Sequence, residues 1–176
     1  MRLPEGRILL VPVGPTPSDL VSWLVGKLSK TLSLSVESAE ALPLPERAFN
    51  QQRSQYQGDI LLDELRSHSF PQADRVVGLV NADCYAPGLN FIFGQATAHG
   101  RDAIVALPRL RQSFYELPED PGLFRQRALK EVVHELGHTW GLAHCPDPHC
   151  VMHFSNTLHD TDIKSAQFCS KCQEGL

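Results

Sequence analysis

The stretch VVHELGHTWGLAHCPDPHC, from Val132 to Cys150, holds four histidines and two cysteines within nineteen residues. Its first part is regular and partly apolar, as in a helix, whereas its second part is irregular and contains prolines. Imidazole and thiolate groups are frequent ligands of transition metals. The spacing of these groups therefore decides whether the stretch can bind a metal ion and which fold the remaining chain must supply to hold it.

The first two histidines of the stretch have the spacing of a metal-binding helix. His134 and His138 are four residues apart, so they project from the same helical face about one turn apart. Glu135 lies roughly 100° around the helix from His134 and can reach a metal-bound water without being a ligand. Gly141 allows the chain to leave the helix, because glycine accepts backbone angles that other residues avoid. His144 can then return to the same ion.

This pattern predicts a catalytic zinc site. Three imidazoles on zinc leave a fourth position for water, whose pKa falls to about 7, and Glu135 can accept its proton as a general base. Cobalt or ferrous iron can occupy the same ligands. The competing interpretation is a surface helix with accidental spacing, but HExxH arises by chance in roughly one in a hundred chains of this length. Gly141 and His144 at fixed offsets make the coincidence rarer by a factor on the order of a thousand.

Composition and charge exclude several classes of partner. The 176 residues suffice for one domain with a hydrophobic core that does not need disulfides. The chain has 16 Lys+Arg against 20 Asp+Glu and a net charge of −4. It therefore lacks the excess of positive charge that is typical of proteins that bind nucleic acid or an anionic membrane. The apolar run from Ile8 to Val13 is too short to span a bilayer, and no secretory signal is visible. We expect a cytoplasmic monomer that binds neither nucleic acid nor a membrane.

Hydrophobic periodicity predicts a mixed sheet covered by helices. Ser18 is the expected N-cap of the first helix, and residues 89–98 and 102–110 are expected to form a hairpin around His99-Gly100. The fold class is therefore α/β (α+β), with a mixed twisted sheet and an active-site helix from about Gly122 to Gly141. Further strands are predicted at 7–14, 32–38 and 74–83, and further helices at 17–32, 57–68 and around 160–172.

The segment HELGHTWGLAH, from His134 to His144, resembles the long zinc motif of the metzincin metallopeptidases. Met152, in CVMHFS, stands where that family has a methionine turn beneath the metal, although a methionine here could also be core filler. Cys145 after the third histidine, together with GLAHCPDPHCVM and FCSKC, resembles the archaemetzincins, as do YAPGLNFIFGQA and VALPRLR upstream. The resemblance covers at least residues 85–172. It implies a metzincin-type fold, a zinc-dependent peptidase and a second zinc.

On this basis we expect a single metzincin-like domain over residues 1–176. Residues 1–141 would form the sheet and helices and end in the active-site helix. Residues 142–176 would carry the third histidine ligand, the methionine turn and a zinc-stapled segment with four cysteines.

The four C-terminal cysteines are predicted to bind a second, structural zinc, which gives two Zn²⁺ ions per chain. Cys145 and Cys150 flank four residues, and Cys169 and Cys172 flank two, so each pair can hold one side of a tetrahedral ion. Four thiolates leave no open position, as in structural zinc sites. Reduced thiols without metal and an iron–sulfur cluster are the alternatives.

Three further metal-seeking residues are interpreted conservatively. His149 and His153 are expected to be polar surface residues, although either could replace a cysteine or approach the catalytic ion. Cys84 is expected to be a small buried hydrophobe. Its alternative is a thiolate that occupies the open zinc position and silences the enzyme.

The resemblance also implies where a peptide would lie. If residues 89–98 form the edge strand nearest the zinc helix, the free backbone groups of that strand can pair with an extended substrate. Gly94 would then permit close approach of a ligand or mark a bulge. Phe154 stands where some metzincin families have a tyrosine that helps to stabilise the oxyanion, and it cannot donate a hydrogen bond. The oxyanion would then be stabilised by the zinc itself, by a backbone N–H or by another residue, for which Tyr85 and His153 are candidates.

The function predicted from the sequence is a zinc metallopeptidase that acts on a peptide or protein substrate, as an endopeptidase or an aminopeptidase. The alternative is a zinc-stabilised module with a metzincin fold that binds a peptide or partner without cutting it. Glu135 argues for catalysis, because a purely structural site has no use for a carboxylate beside its first ligand. A zinc-ribbon contact to nucleic acid is disfavoured by the acidic surroundings of the cysteines.

Overall fold

The apolar runs of the chain form a central sheet in the computed structural model, which describes residues 6–176. The first five residues of the expected domain ranges lie outside the described part. The strands are β1 (Arg7–Val13), β2 (Ser35–Ser38), β3 (Phe49–Asn50), β4 (Gln55–Gln57), β5 (Arg75–Val80), β6 (Cys84–Tyr85), β7 (Gly94–Ala96) and β8 (Asp102–Ala106). The helices are α1 (Ser18–Leu32), α2 (Gly58–Ser67), α3 (Pro121–Thr139), α4 (Leu158–Ile163) and α5 (Ser170–Glu174). Single 3-10 turns lie at Glu46–Ala48, Pro108–Leu110 and Gln112–Tyr115.

The main sheet has five strands in the order β2-β1-β5-β8-β7. The first four are mutually parallel, and β7 is antiparallel to β8. Strands β1, β5 and β8 are almost continuously buried, as expected for parallel strands covered on both faces. The predicted hairpin and the mixed sheet are therefore confirmed.

Helices cover both faces of this sheet and divide the core into two layers. On one face α1 and α3 pack over Leu10, Val77 and Val105. On the other face α2 packs through Leu61 and Leu65 over the strand side chains that alternate with those of the first layer. The side chains of β1 alternate between these layers, which is why a run such as ILLV can be apolar throughout.

Three expectations for individual elements are wrong in detail. Ser18 is the first helical residue of α1, and no side chain caps that helix. The predicted strand over residues 89–98 is regular only in β7, because Ile92 N donates instead to the carbonyl of Cys84 at 2.9 Å and bridges to a small sheet of β3, β4 and β6. The single helix predicted around residues 160–172 is two short helices, α4 and α5.

Polar contacts fasten the C-terminal segment to α3. Arg127 binds both carboxylate oxygens of Asp162 at 2.7 Å each. Lys130 Nζ donates to the carbonyls of Thr161 and Asp162 at 3.0 Å each. Because these bonds join α4 to the middle of α3, they fix where the intervening irregular segment can run. None of the helices within residues 6–176 is both long enough and apolar enough to cross a membrane.

The packing of α1 yields a test of this architecture. Leu28 is fully buried between α1 and the sheet, whereas Lys30 on the same helix is exposed. Leu28→Ala should lower the free energy of unfolding by about 2–5 kcal/mol because it leaves a cavity. Lys30→Ala, the control, should change it by no more than about 0.5 kcal/mol. Urea unfolding followed by circular dichroism measures both, and equal effects would contradict the packing described.

Candidate metal centres and active-site cleft

The helix that carries the first two histidines has well-defined ends. The carboxylate of Asp120 accepts a hydrogen bond from Leu123 N at 2.9 Å and caps its start, where Pro121 is tolerated because a first-turn N–H has no helical partner. At its end Gly141 has a φ of +92°, and Leu142 N donates to Gly137 O at 2.9 Å. This is a Schellman motif, which needs glycine in the left-handed position. The chain therefore turns back over the last helical turn.

Both helix histidines are held by backbone carbonyls from the segment beyond the helix. His134 Nδ1 donates to Val151 O at 2.7 Å, and His138 Nδ1 donates to Leu142 O at 2.8 Å. A carbonyl oxygen can only accept, so each Nδ1 carries the proton and each Nε2 carries a lone pair. Hydrogen bonds of this kind fix the tautomer and ring orientation of metal-ligating histidines.

The two Nε2 atoms face each other at 3.1 Å. Two lone pairs at this distance repel unless a cation lies between them, and burial lowers the pKa of His134 well below its ordinary value, which disfavours a shared proton. Two nitrogens about 2.05 Å from one tetrahedral ion would be about 3.3 Å apart. The observed distance therefore fits zinc ligands.

His144 completes the cluster from the irregular segment after Gly141. Its ring centroid lies 5.4 Å from that of His134 and 4.8 Å from that of His138. One nitrogen from each of the three rings lies within 4.8 Å of the others. Burial also lowers the pKa of His138 and His144, so the neutral forms that bind metals are favoured. The structure thus brings together the three histidines predicted from the spacing.

Glu135 is buried and borders the same cleft as the three histidines. Burial raises the pKa of its carboxyl well above the ordinary range, and repulsion from Glu131 adds to this. A divalent cation on the neighbouring imidazoles would oppose that shift. A Cβ added at Gly94 would overlap Glu135 Oε1, so any larger residue where β7 passes the carboxylate would have to displace it. Gly94 therefore accommodates Glu135 rather than a bulge.

Met152 lies fully buried directly beneath the histidine-bearing turn. Its thioether is so close to Gly137 that a Cβ there would overlap Met152 Sδ. The next aromatic residue, Phe154, is exposed and its ring centroid lies 4.8 Å from that of His144. Phe154 therefore forms an apolar wall of the cleft and supplies no hydrogen-bond donor.

The four C-terminal cysteines form the second cluster. Cys145 and Cys169 have their Sγ atoms 3.8 Å apart, and those of Cys150 and Cys172 are 3.7 Å apart. These distances exceed that of a disulfide and match the edge of a tetrahedron with metal–sulfur bonds of about 2.3 Å, which is about 3.8 Å. All four sulfurs lie within 4.8 Å of one another. That space fits one ion and is too small for several iron and sulfide atoms.

The two clusters share a backbone segment. Cys145 directly follows His144, and its N–H donates to Met152 O at 2.9 Å. The carbonyl of Cys145 accepts a hydrogen bond from His153 Nδ1 at 3.0 Å. The segment that carries the third histidine is thus also held by the cysteine cluster and by the residues around Met152.

The cleft has a volume of about 520 Å³ and runs along the free edge of β7. Phe93 O accepts from Ala106 N at 2.8 Å, and Thr97 N donates to Asp102 O at 3.0 Å. Hydrogen-bonded and non-hydrogen-bonded pairs alternate in an antiparallel ladder, so the backbone groups of Gly94 and Ala96 point away from β8. No other strand within residues 6–176 pairs with this edge.

Several residues considered in the sequence belong to neither cluster. His149 is exposed, and Cys84 is completely buried in the core, where burial raises the pKa of its thiol. The hydroxyl of Tyr85 is within 3.2 Å of Asn50 Nδ2, and Tyr85 does not border the cleft. His153 donates through its Nδ1 to the carbonyl of Cys145 and does not border the cleft.

Sequence reasoning missed one pair of charged residues beside the histidine cluster. Glu131 Oε1 lies 2.9 Å from Nζ of Lys164, and both side chains are almost completely buried. The position of Glu131, four residues before Glu135, places it on the same helical face, which is a usable signal. Lys164 has no comparable signal, because it is distant in sequence and lies just after α4.

The sequence and the fold are both similar to those of known metallopeptidases. The family model described as peptidase family M54 matches residues 27–176. Archaemetzincin from Methanopyrus kandleri is 45% identical over 172 residues, which cover 98% of this chain and 91% of that relative. The crystal structure of the same archaemetzincin superposes with a TM-score of 0.85 at 44% identity, over 97% of this chain and 92% of the other.

A second solved structure supports the same assignment. A zinc-dependent peptidase from Methanocorpusculum labreanum has a TM-score of 0.86 at 28% identity, and the match covers 96% of this chain and 98% of that one. Nearly the whole fold is shared, including the part that holds the histidine cluster. The chain therefore belongs to the archaemetzincins, peptidase family M54, and is a zinc metallopeptidase.

Proposed function

We propose that His134, His138 and His144 hold the catalytic zinc and that Glu135 is the general base for peptide-bond hydrolysis. The observation that carries the proposal is the 3.1 Å approach of two Nε2 atoms whose Nδ1 atoms are both committed to carbonyls. Zinc, when bound there, polarises the scissile carbonyl and lowers the pKa of the attacking water.

The roles of the remaining cleft residues follow from their positions. A substrate in extended form pairs with the outward backbone groups of Gly94 and Ala96 on β7. Glu135 accepts the proton of the attacking water on its carboxylate and returns it to the leaving amine. Met152 and the carbonyls of Val151 and Leu142 keep the two helix histidines in place while this occurs.

We further infer that Cys145, Cys150, Cys169 and Cys172 hold a second, structural zinc, which makes two per chain. The tetrahedral spacing of the sulfurs supports this, and so does the N–H of Cys169, which donates to Cys150 Sγ at 3.3 Å. In this proposal residues 142–176 form the metal-bearing part of a single domain, since they carry the third histidine, Met152 and the four cysteines.

The general-base role of Glu135 is tested by its removal. Zinc-loaded protein should cut members of a mixed peptide library, and Glu135→Ala should cut them about 10²–10⁴ times more slowly while retaining its zinc. Mass spectrometry of the products measures both rates, and metal analysis is the control. Internal cuts would identify an endopeptidase, and loss of single N-terminal residues would identify an aminopeptidase. If neither protein cuts while both hold zinc, the chain is a binding module.

The contact between Gly94 and Glu135 provides a separate test. Gly94→Ala places a methyl group against Oε1 and should displace the carboxylate, so kcat should fall at least about tenfold. Gly26→Ala is the matched control, because a Cβ there would meet nothing within 4 Å, and its kcat should not change. Unaltered kcat in Gly94→Ala would mean that Glu135 is not positioned by this contact.

The second metal site is tested by counting zinc. Wild-type protein should hold two ions per chain, and the double variant Cys169→Ser/Cys172→Ser should hold one. Its unfolding midpoint should fall by at least about 5 °C, because a structural zinc contributes directly to folding. Cys84→Ala should keep both ions, since Cys84 lies outside the cluster. Two ions in the double variant would refute the four-cysteine assignment.

A further inference from the structure

Glu131 presents an unused hydrogen-bond acceptor to the cleft. It borders the cleft one turn before Glu135, and its side chain is 3% exposed. Its Oε1 forms an ion pair with Lys164 Nζ at 2.9 Å and accepts a hydrogen bond from Thr161 Oγ1 at 3.2 Å. Its Oε2 accepts no hydrogen bond from any residue between 6 and 176. This oxygen is not completely enclosed by protein atoms. Oε2 therefore opens to the cleft.

Lys164 determines what kind of group this acceptor suits. The lysine is completely buried. Its Nζ forms the ion pair with Glu131 and donates a hydrogen bond to the carbonyl of His153 at 3.3 Å. Because the ammonium neutralises the carboxylate, the pair has no net charge to attract a cation. A cationic ligand would add a second positive charge beside Lys164, whereas a neutral donor would satisfy Oε2 without that repulsion.

The walls of the cleft that Glu131 borders are partly apolar and partly polar. Leu89, Phe91 and Phe154 border the cleft, and by themselves they would favour an apolar side chain. An apolar side chain against Glu131 would exclude water from Oε2 without replacing its hydrogen bond, which costs more than the apolar contact returns. A short aliphatic stem that ends in a donor satisfies both the walls and the acceptor.

We propose that Glu131 is a specificity-determining residue, which selects at one substrate position beside the scissile bond a neutral side chain ending in a hydrogen-bond donor, with glutamine and asparagine preferred. This inference rests on the proposed peptidase function. The juxtaposition behind it is the free Oε2 of a lysine-neutralised carboxylate in a cleft that also has the apolar walls Leu89, Phe91 and Phe154.

The informative variant removes the whole ion pair. Glu131 alone cannot be replaced cleanly, because an unpaired ammonium would remain in the interior. The double variant Glu131→Met/Lys164→Met replaces both charges with apolar side chains of similar length, which proteins often tolerate without loss of stability. Thermal unfolding of the zinc-loaded protein checks that the fold is retained. Glu131→Leu/Lys164→Met, with a different side-chain shape, provides a second variant of the same kind.

The readout is the residue preference at each position around the cut in a mixed library of N-acetylated peptides. Wild-type protein should prefer glutamine and asparagine over leucine and methionine by at least about tenfold at one position, as a hydrogen bond to a charged acceptor allows. Both double variants should lose this preference and favour apolar residues there. A wild-type preference for cationic or apolar residues, or an unchanged preference in the double variants, would overturn the proposal.

A measurement without turnover separates this proposal from the peptidase assignment. The same library is passed over immobilised, zinc-loaded Glu135→Ala protein with and without the double substitution, and the retained peptides are sequenced. Enrichment of glutamine and asparagine only when Glu131 is present supports the proposal even if no protein cuts. Equal enrichment in both overturns it even if cleavage occurs.

Thr161→Val is the matched control. It removes the hydrogen bond to Oε1, on the side of the carboxylate that faces away from the cleft, and leaves Oε2 and Lys164 in place. Its residue preference should equal that of the wild type. A changed preference would show that the selectivity arises from general disturbance of the pair and would contradict a direct contact with Oε2.

Discussion

The two hydrogen bonds from His134 and His138 to backbone carbonyls are the interactions on which the geometry of the histidine cluster depends. Both carbonyls, of Val151 and Leu142, belong to the segment that follows α3. The helix by itself supplies the spacing of the imidazoles but not their tautomer or ring orientation. The geometry of the histidine cluster therefore depends on the helix and the returning chain together. The returning chain is positioned in turn by its contacts with the cysteine cluster and by the contacts of α4 with α3.

Much of this arrangement could be predicted from the sequence because it is local. The four-residue spacing of His134 and His138 fixes their common face, and Gly141 marks the helix end through its backbone freedom. The cysteine pairs are equally readable, since two short spacings suffice to indicate a tetrahedral site. The alternation of apolar strands and helices likewise gave the mixed sheet, because strand burial leaves a direct signature in the sequence.

The features that could not be predicted depend on contacts between distant segments. Lys164 and Glu131 are separated by an irregular stretch. The sequence around either residue therefore does not predict that the two form a buried ion pair. The length of β7 was overestimated because Ile92 pairs with Cys84 in another sheet, a competition that hydrophobic pattern alone does not reveal. Gly94 could be read as a bulge or a close approach, and only the path of α3 shows that Glu135 fills the space.

The free edge of β7 limits which conformations a polypeptide can have when it binds in the cleft. Its outward edge offers the backbone groups of Gly94 and Ala96, and a partner must present its own N–H and C=O groups unpaired to use them. A polypeptide in a helix or an interior strand has already committed those groups to its own fold. Under the proposed binding mode, targets are therefore chain termini, linkers and locally unfolded regions, and the stability of a target's own structure becomes its protection against cleavage.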